Sequence, residues 1–219
     1  MNTRAPRALL KYRKTDAARW LSHLDLTRAL ERAIRRAKLP LAYSEGFNPR
    51  LRMSFGPPLP LGASSDAELL LLRLVEPLTA AEIKDRLSEQ LPRGIEIVEV
   101  RSMAENEPGL PAIGGASYLV RAACRAESPA DAAKQAIAEF LARKSVIIER
   151  TDKNDPRRVD IRAGVDSIDL VAVERDVVTM RIRISHLGER IPKPVEALQA
   201  LSGQEREFRV VSIHRESFY

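Results

Sequence analysis

The chain has 219 residues, 44% hydrophobic and 30% charged, which excludes global disorder and a large multidomain enzyme and fits one large or two small globular domains. Net charge is +6, but it is unevenly spread: residues 1–60 hold 13 Lys/Arg against 4 Asp/Glu, and the remaining 159 hold 23 against 26. A single cysteine, Cys124, excludes an internal disulfide, a four-thiolate zinc site and an iron–sulfur cluster held by this chain alone.

Ala8 to Tyr12 reads as a first strand. Ser22-His23-Leu24-Asp25 matches a capping box and opens a helix that should run to about Lys38, before Pro40 stops it. Leu26, Leu30, Ala33, Ile34 and Ala37 form its apolar face, and Arg28, Arg32, Arg35 and Arg36 gather on another. Residues 43–65 combine Gly46, Pro49, Gly56, Pro57, Pro58, Pro60 and Gly62 with apolar and basic residues, predicting an ordered loop of special shape that contains part of a strand. A strand at Ala67 to Val75 follows, then a helix from Thr79 to Gln90 opened by Thr79-Ala80-Ala81-Glu82, then a strand at Ile95 to Arg101.

Residues 104–115, AENEPGLPAIGG, read as a linker, after which the pattern restarts. Tyr118 to Cys124 is a predicted strand, Pro129 to Arg143 a helix after Ser128, and Ser145 to Thr151 a strand. Arg158 to Ala163, Ser167 to Val173 and Val177 to Ser185 alternate as a meander, before a short helix at Pro194 to Leu201 and a strand at Glu207 to His214. The expected fold is α+β: two tandem ferredoxin-like, split βαβ modules with antiparallel sheets. Residues 1–103 form the basic first module, 104–116 the linker, and 117–219 an elaborated second module.

The sequence lacks G-x-x-x-x-G-K-[ST], a G-x-G-x-x-G turn, H-E-x-x-H and G-x-S-x-G, so the usual nucleotide, zinc-protease and serine-hydrolase chemistries have no foothold. No metal is expected, because His23, His186 and His214 lie far apart with no second ligand at metal-binding spacing. His23 opens the basic helix, where an imidazole can contact phosphate or act as acid/base on a ribose hydroxyl. A structural or binding role is favoured, since a lone acid/base candidate lacks a partner. Five of the ten Phe, Trp and Tyr residues lie in the first 55 and alternate with cations including Lys11, Arg19, Arg50 and Arg52. Cations for phosphates beside aromatic faces for bases are the usual means of holding single-stranded nucleic acid. Trp20 and Phe55 are expected in the core, whereas Tyr43 and Phe47, flanking Gly46, are candidates for base stacking. A second patch, Lys153, Arg158 and Arg162, surrounds Asp160, and a solvated, salt-bridged turn explains it better than a phosphate site.

The run RWLSHLDLTRALERAIRRAKLPLAYSEGFNPRLRMSFGPPLPLG, Arg19 to Gly62, resembles the signature of the radical-SAM-linked protein family, domain of unknown function 2344. Val159-Asp160-Ile161-Arg162 resembles that family's C-terminal motif, with Ala163 standing where a proline is expected. The resemblance implies a radical S-adenosylmethionine enzyme as partner, which would carry the S-adenosylmethionine and the iron–sulfur cluster, with no cofactor on this chain.

The leading expectation is a cytoplasmic accessory protein that binds tRNA or rRNA and presents it to that enzyme. Arg19, Arg28, Arg32, Arg35, Arg36, Arg50 and Arg52 would contact phosphates, His23 and Asn48 would make polar contacts, and Tyr43 or Phe47 would stack. One alternative is a metal-independent endoribonuclease, reminiscent of CRISPR RNA-processing enzymes, with His23 as acid/base and Arg19 or Lys11 stabilising the phosphorane. Another is a protein-docking module that uses the proline-rich loop and no nucleic acid.

Overall fold

Alternation decides the first strand: in Arg7–Lys14 (β1) the even-numbered side chains Ala8, Leu10, Tyr12 and Lys14 are buried and their neighbours less so. The structure, a computed structural model, describes residues 5–104, 106–152, 155–188, 191–203 and 206–219. The chain divides into two units, Met1–Ala112 and Ile113–Tyr219.

In the first unit a 3-10 turn, Asp16–Trp20, leads from β1 to helix α1 (His23–Arg36). Strands β2 (Met53–Phe55) and β3 (Ser64–Arg73), helix α2 (Ala80–Ser88) and strand β4 (Ile95–Met103) follow. Leu72 of β3 pairs with Ala8 on one side and Met53 on the other, and Leu10 pairs with both Leu70 and Val100. The order is therefore β4-β1-β3-β2, antiparallel throughout. Leu26, Leu30, Ala33 and Ile34 of α1 and Ile83 and Leu87 of α2 share one core with Leu10, Leu70, Leu72 and Ile97 of the strands. Each such Leu or Ile, fully buried, contributes about 1.5–3 kcal/mol.

The second unit runs β5 (Gly115–Arg125), α3 (Pro129–Ala142), β6 (Ile147–Asp152), β7 (Asp155–Asp160), β8 (Val165–Glu174), β9 (Val177–Ser185), α4 (Pro194–Leu201) and β10 (Glu207–Phe218). Its sheet order is β10-β5-β9-β8, again antiparallel, and β6 and β7 form a separate two-stranded ribbon. With that ribbon set aside, each unit reads strand, helix, strand, strand, helix, strand, and each sheet reads fourth, first, third, second. The fold class is α+β with antiparallel sheets.

Three expectations are corrected at this level. Residues 158–163 do not join a meander, because β7 pairs only with β6 while β8 and β9 form their own hairpin. Gly115 and Ala116 are not linker: β5 starts at Gly115, where a Cβ would meet the Tyr219 ring at 2.5 Å. Strand β10 likewise continues past His214 to Phe218, which pairs with Ala116. Among the described residues no helix is long and apolar enough to cross a membrane.

The turn into β4 rests on Gly94, whose φ of +87° is a left-handed conformation and whose Cβ, if present, would lie 2.5 Å from the Thr15 carbonyl oxygen. Thr15 N–H donates to the Gly94 carbonyl at 2.8 Å, tying this turn to the end of β1. Gly94→Ala is expected to destabilise the protein by about 1–3 kcal/mol, read as a lower urea midpoint. An unchanged midpoint would mean that the turn relaxes freely.

Candidate nucleic-acid interface

The basic helix begins where the sequence places its cap. Ser22 Oγ accepts the Asp25 N–H at 3.1 Å and donates to the Asp25 carboxylate at 2.7 Å. Burial of Leu26, Ala29, Leu30, Ala33 and Ile34 turns Arg28, Arg32 and Arg35 to solvent. Beyond the helix, Leu41 bridges Leu74, and Ala42 N–H donates to the Arg73 carbonyl at 2.9 Å, so the chain leaves the helix tied to the sheet.

From there residues 42–52 fold back on themselves as a hairpin. Arg52 N–H donates to Ala42 O at 2.8 Å, Tyr43 bridges Leu51, and Ser44 N–H donates to Arg50 O at 2.8 Å. Ser44 Oγ also accepts Arg50 N–H at 3.0 Å, which clamps the tip. Gly46 takes φ +111° at that tip, and residues 45–50 are all exposed. Phe47 is fully exposed and Tyr43 is 49% exposed.

Between α1 and this tip lies a cleft of about 400 Å³. Leu24, Thr27 and Pro49 line it together with Arg28, Arg35 and Arg50, against one carboxylate, Glu31. The Arg28 partner Asp25, at 3.9 Å, is a loose i,i+3 contact between exposed groups and holds Arg28 only weakly. Three guanidiniums on one cleft, with exposed aromatics on the same hairpin as Arg50, suit an extended polyanion that carries flat apolar groups.

The other expected site residues are distributed differently. Arg32, Asn48 and Arg52 are exposed but do not line the cleft. Arg36 is turned away: its Nε donates to the Gln90 side chain at 3.2 Å and its Nη2 to the Gln90 carbonyl, so it closes the end of α2. Trp20, expected in the core, is 62% exposed, with the Arg19 guanidinium 5.1 Å from its ring centroid. Phe55 is partly buried and meets the His23 imidazole edge to face at 5.0 Å. His23 is exposed, and on its inner side it lines a cavity of only about 10 Å³, room for one water at most.

That cavity is lined by Tyr12, Lys14 and Glu68, a buried cluster that the sequence reading did not bring together. Lys14 is 2% exposed and donates Nζ–H to the Leu21 carbonyl at 2.9 Å, while Glu68 is 6% exposed. Burial pulls the Lys14 ammonium below the usual lysine range, and the Glu68 charge opposes that shift. The signal was present: Lys14 falls in phase with Ala8, Leu10 and Tyr12 on the inward side of β1.

In the second patch Lys153 lies outside the described residues, and Arg158 is exposed on the ribbon opposite Glu149. Arg162 faces inward: it donates to the Leu141 carbonyl at 3.1 Å and the Val165 carbonyl at 2.9 Å, and its guanidinium lies 5.7 Å from the Phe140 ring centroid. Asp160 accepts the N–H groups of Val146 at 2.9 Å and Arg162 at 3.0 Å, and these backbone donors lower its pKa. With Val159 and Ile161 buried, the segment 159–162 is a latch at the end of α3. Among the described residues no group of three His, Cys, Asp or Glu is placed to hold a metal ion.

The family model "Uncharacterized protein conserved in bacteria (DUF2344)" matches residues 7–192. The chain belongs to this family. No curated protein matches the DUF2344 chain. Among solved structures it is similar to a chain of a Cbf5-Nop10-Gar1 complex, with TM-score 0.55 and 10% identity over 96% of this chain and 48% of that one. The DUF2344 chain thus spans about half the length of that relative, and the likeness concerns the fold. An unknown protein from Galdieria sulphuraria is similar at TM-score 0.29 and 13% identity, over 94% of this chain and 99% of that one.

Lys14→Met removes the cation facing Glu68 and is expected to cost about 3 kcal/mol in a urea melt, with Lys14→Met/Glu68→Leu recovering part of the loss. The folded protein holds the Lys14 proton less tightly than the unfolded chain does. Wild-type stability relative to Lys14→Met should therefore rise as pH climbs from the lowered pKa to the ordinary lysine value. A pH-independent difference would show that Lys14 titrates normally.

Proposed function

We propose that this chain is an accessory protein that binds RNA, with tRNA and rRNA as the expected classes, along the cleft between α1 and the hairpin. The observation that carries the reading is the convergence of Arg28, Arg35 and Arg50 on one cleft, one wall of which is the hairpin that carries the exposed Phe47 and Tyr43. Guanidiniums held in fixed places engage phosphates and release counterions, and a protruding aromatic accepts an unstacked base. Arg32, Asn48 and Arg52 are exposed near these elements and extend the surface in this reading. Arg36 plays no part in it, because the end of α2 occupies its guanidinium.

The RNA is presented to a separate radical SAM enzyme, which supplies S-adenosylmethionine and an iron–sulfur cluster; this step rests on the resemblance of Arg19–Gly62 to the radical-SAM-linked family. The chain's setting in this reading is the cytoplasm. Both units are read as ferredoxin-like modules, which the fourth-first-third-second strand order supports, the second carrying the β6–β7 ribbon as its elaboration. The endoribonuclease alternative finds less support, since the His23 imidazole packs edge to face on Phe55 and does not line the arginine cleft.

The test is binding of bulk tRNA and rRNA fragments across a salt series. Wild type should bind with a steep negative slope of log affinity against log salt, and Arg35→Glu/Arg50→Glu should weaken binding and reduce that slope by about 1 to 2. No binding at low salt would overturn the reading and leave a protein-docking face as the better account.

A further inference from the structure

An exposed tryptophan is expensive to leave in water, and Trp20 is held outward by a constructed seat. The segment after the prolines brings Gly62 against it: Gly62 N–H donates to the Arg19 carbonyl at 3.0 Å, and Gly62 takes φ +82°. A Cβ on Gly62 would approach Cζ3 of Trp20 to 2.8 Å and Cη2 to 3.2 Å, so only glycine allows this contact. The benzo edge of the indole is thereby fixed while 62% of the residue stays exposed. Rigid exposure of this kind presents a preformed aromatic surface at little entropic cost to a ligand.

A second, independent feature lies beside it. The Arg19 guanidinium sits 5.1 Å from the Trp20 ring centroid, and among the described residues no carboxylate pairs with it. Its Nε is buried without a hydrogen-bond partner. A guanidinium on an aromatic face suits phosphate oxygens, which its outer N–H groups engage in a fork. Trp20 lies three residues ahead of α1, the helix whose Arg28 and Arg35 line the cleft.

We propose that Arg19 and Trp20 form a nucleotide subsite for single-stranded RNA, in which Arg19 takes a phosphate and Trp20 stacks an unpaired base. The subsite rests on the RNA-binding reading above and extends it, selecting unpaired nucleotides over duplex at this end of α1. An indole platform takes any base, so its selectivity is for strandedness and not for sequence.

Trp20 is the chain's single tryptophan, so its emission reports on this position alone. The full chain is titrated with an oligoadenylate of about 12 nucleotides, and with a duplex of equal length, while binding is followed separately by anisotropy of a dye-labelled copy. Saturable quenching of Trp20 by the single strand, with little by the duplex, is expected. Trp20→Ala should weaken single-strand binding roughly 5- to 100-fold, and Trp20→Phe should restore most of it. Arg19→Gln should weaken both binding and quenching, and thermal melts of each variant establish that it is folded. Single-strand binding that leaves Trp20 emission unchanged, or that folded Trp20→Ala retains in full, would overturn the subsite while sparing the cleft. Absence of any RNA binding in the anisotropy arm would overturn the cleft reading as well. Emission that responds to a radical SAM partner protein and not to RNA would overturn the subsite in favour of a protein contact.

Discussion

The first unit depends on one packing event, the burial of the Leu26, Leu30, Ala33 and Ile34 face of α1 on β1 and β3. Once that stripe is buried, the helix cannot rotate, and the remaining faces are assigned. Arg28 and Arg35, seven residues apart, fall on one side with an axial separation of about 10 Å. The opposite wall of the cleft is referred to the same sheet, because Leu41 bridges Leu74 and Ala42 bonds Arg73 before the chain turns out into the hairpin. Both walls therefore share one frame, and the spacing of Arg50 from the helix arginines is set by sheet geometry.

Charge plays two separate parts here. Exposed guanidiniums along the cleft contribute little to stability, since water and salt screen them, and for that reason they are available to a ligand. Lys14 and Glu68 are the reverse: desolvated, close-packed beneath Phe55 and Pro58, and engaged with the fold itself. His23 separates the two regimes, exposed on one side and edged against Phe55 on the other, which suits a residue fixing the start of α1.

What the sequence made legible was local. The α1 cap and its apolar stripe are encoded within a few residues, as are the capping box of Thr79 and Glu82 and the alternation of β9. The 42–52 hairpin was harder to read, because its tip lacks a two-residue turn signature and β2 is only three residues long, too short to show a period. Misreadings came from distant partners. Arg36 is taken by Gln90, 54 positions away, and Trp20 is kept outward by Gly62 on the far side of the helix and hairpin. Neither contact leaves a trace in the neighbouring sequence, so a composition argument assigns Arg36 to the ligand and Trp20 to the core.

The two segments that carry the family resemblance show why arginine content alone does not locate a binding surface. In 159–162 the guanidinium of Arg162 finds two backbone carbonyls and an aromatic ring, and the Asp160 carboxylate finds two backbone N–H groups. Apart from the Arg162 Nε, which has no hydrogen-bond partner, those groups find partners within the fold, and they close the end of α3. In 19–50, Arg36 finds the Gln90 side chain and carbonyl, whereas Arg28, Arg35 and Arg50 are left facing a cleft. The same residue type becomes structure where acceptors are within reach and surface where they are not. That difference is why the proposed RNA surface is drawn on the first unit.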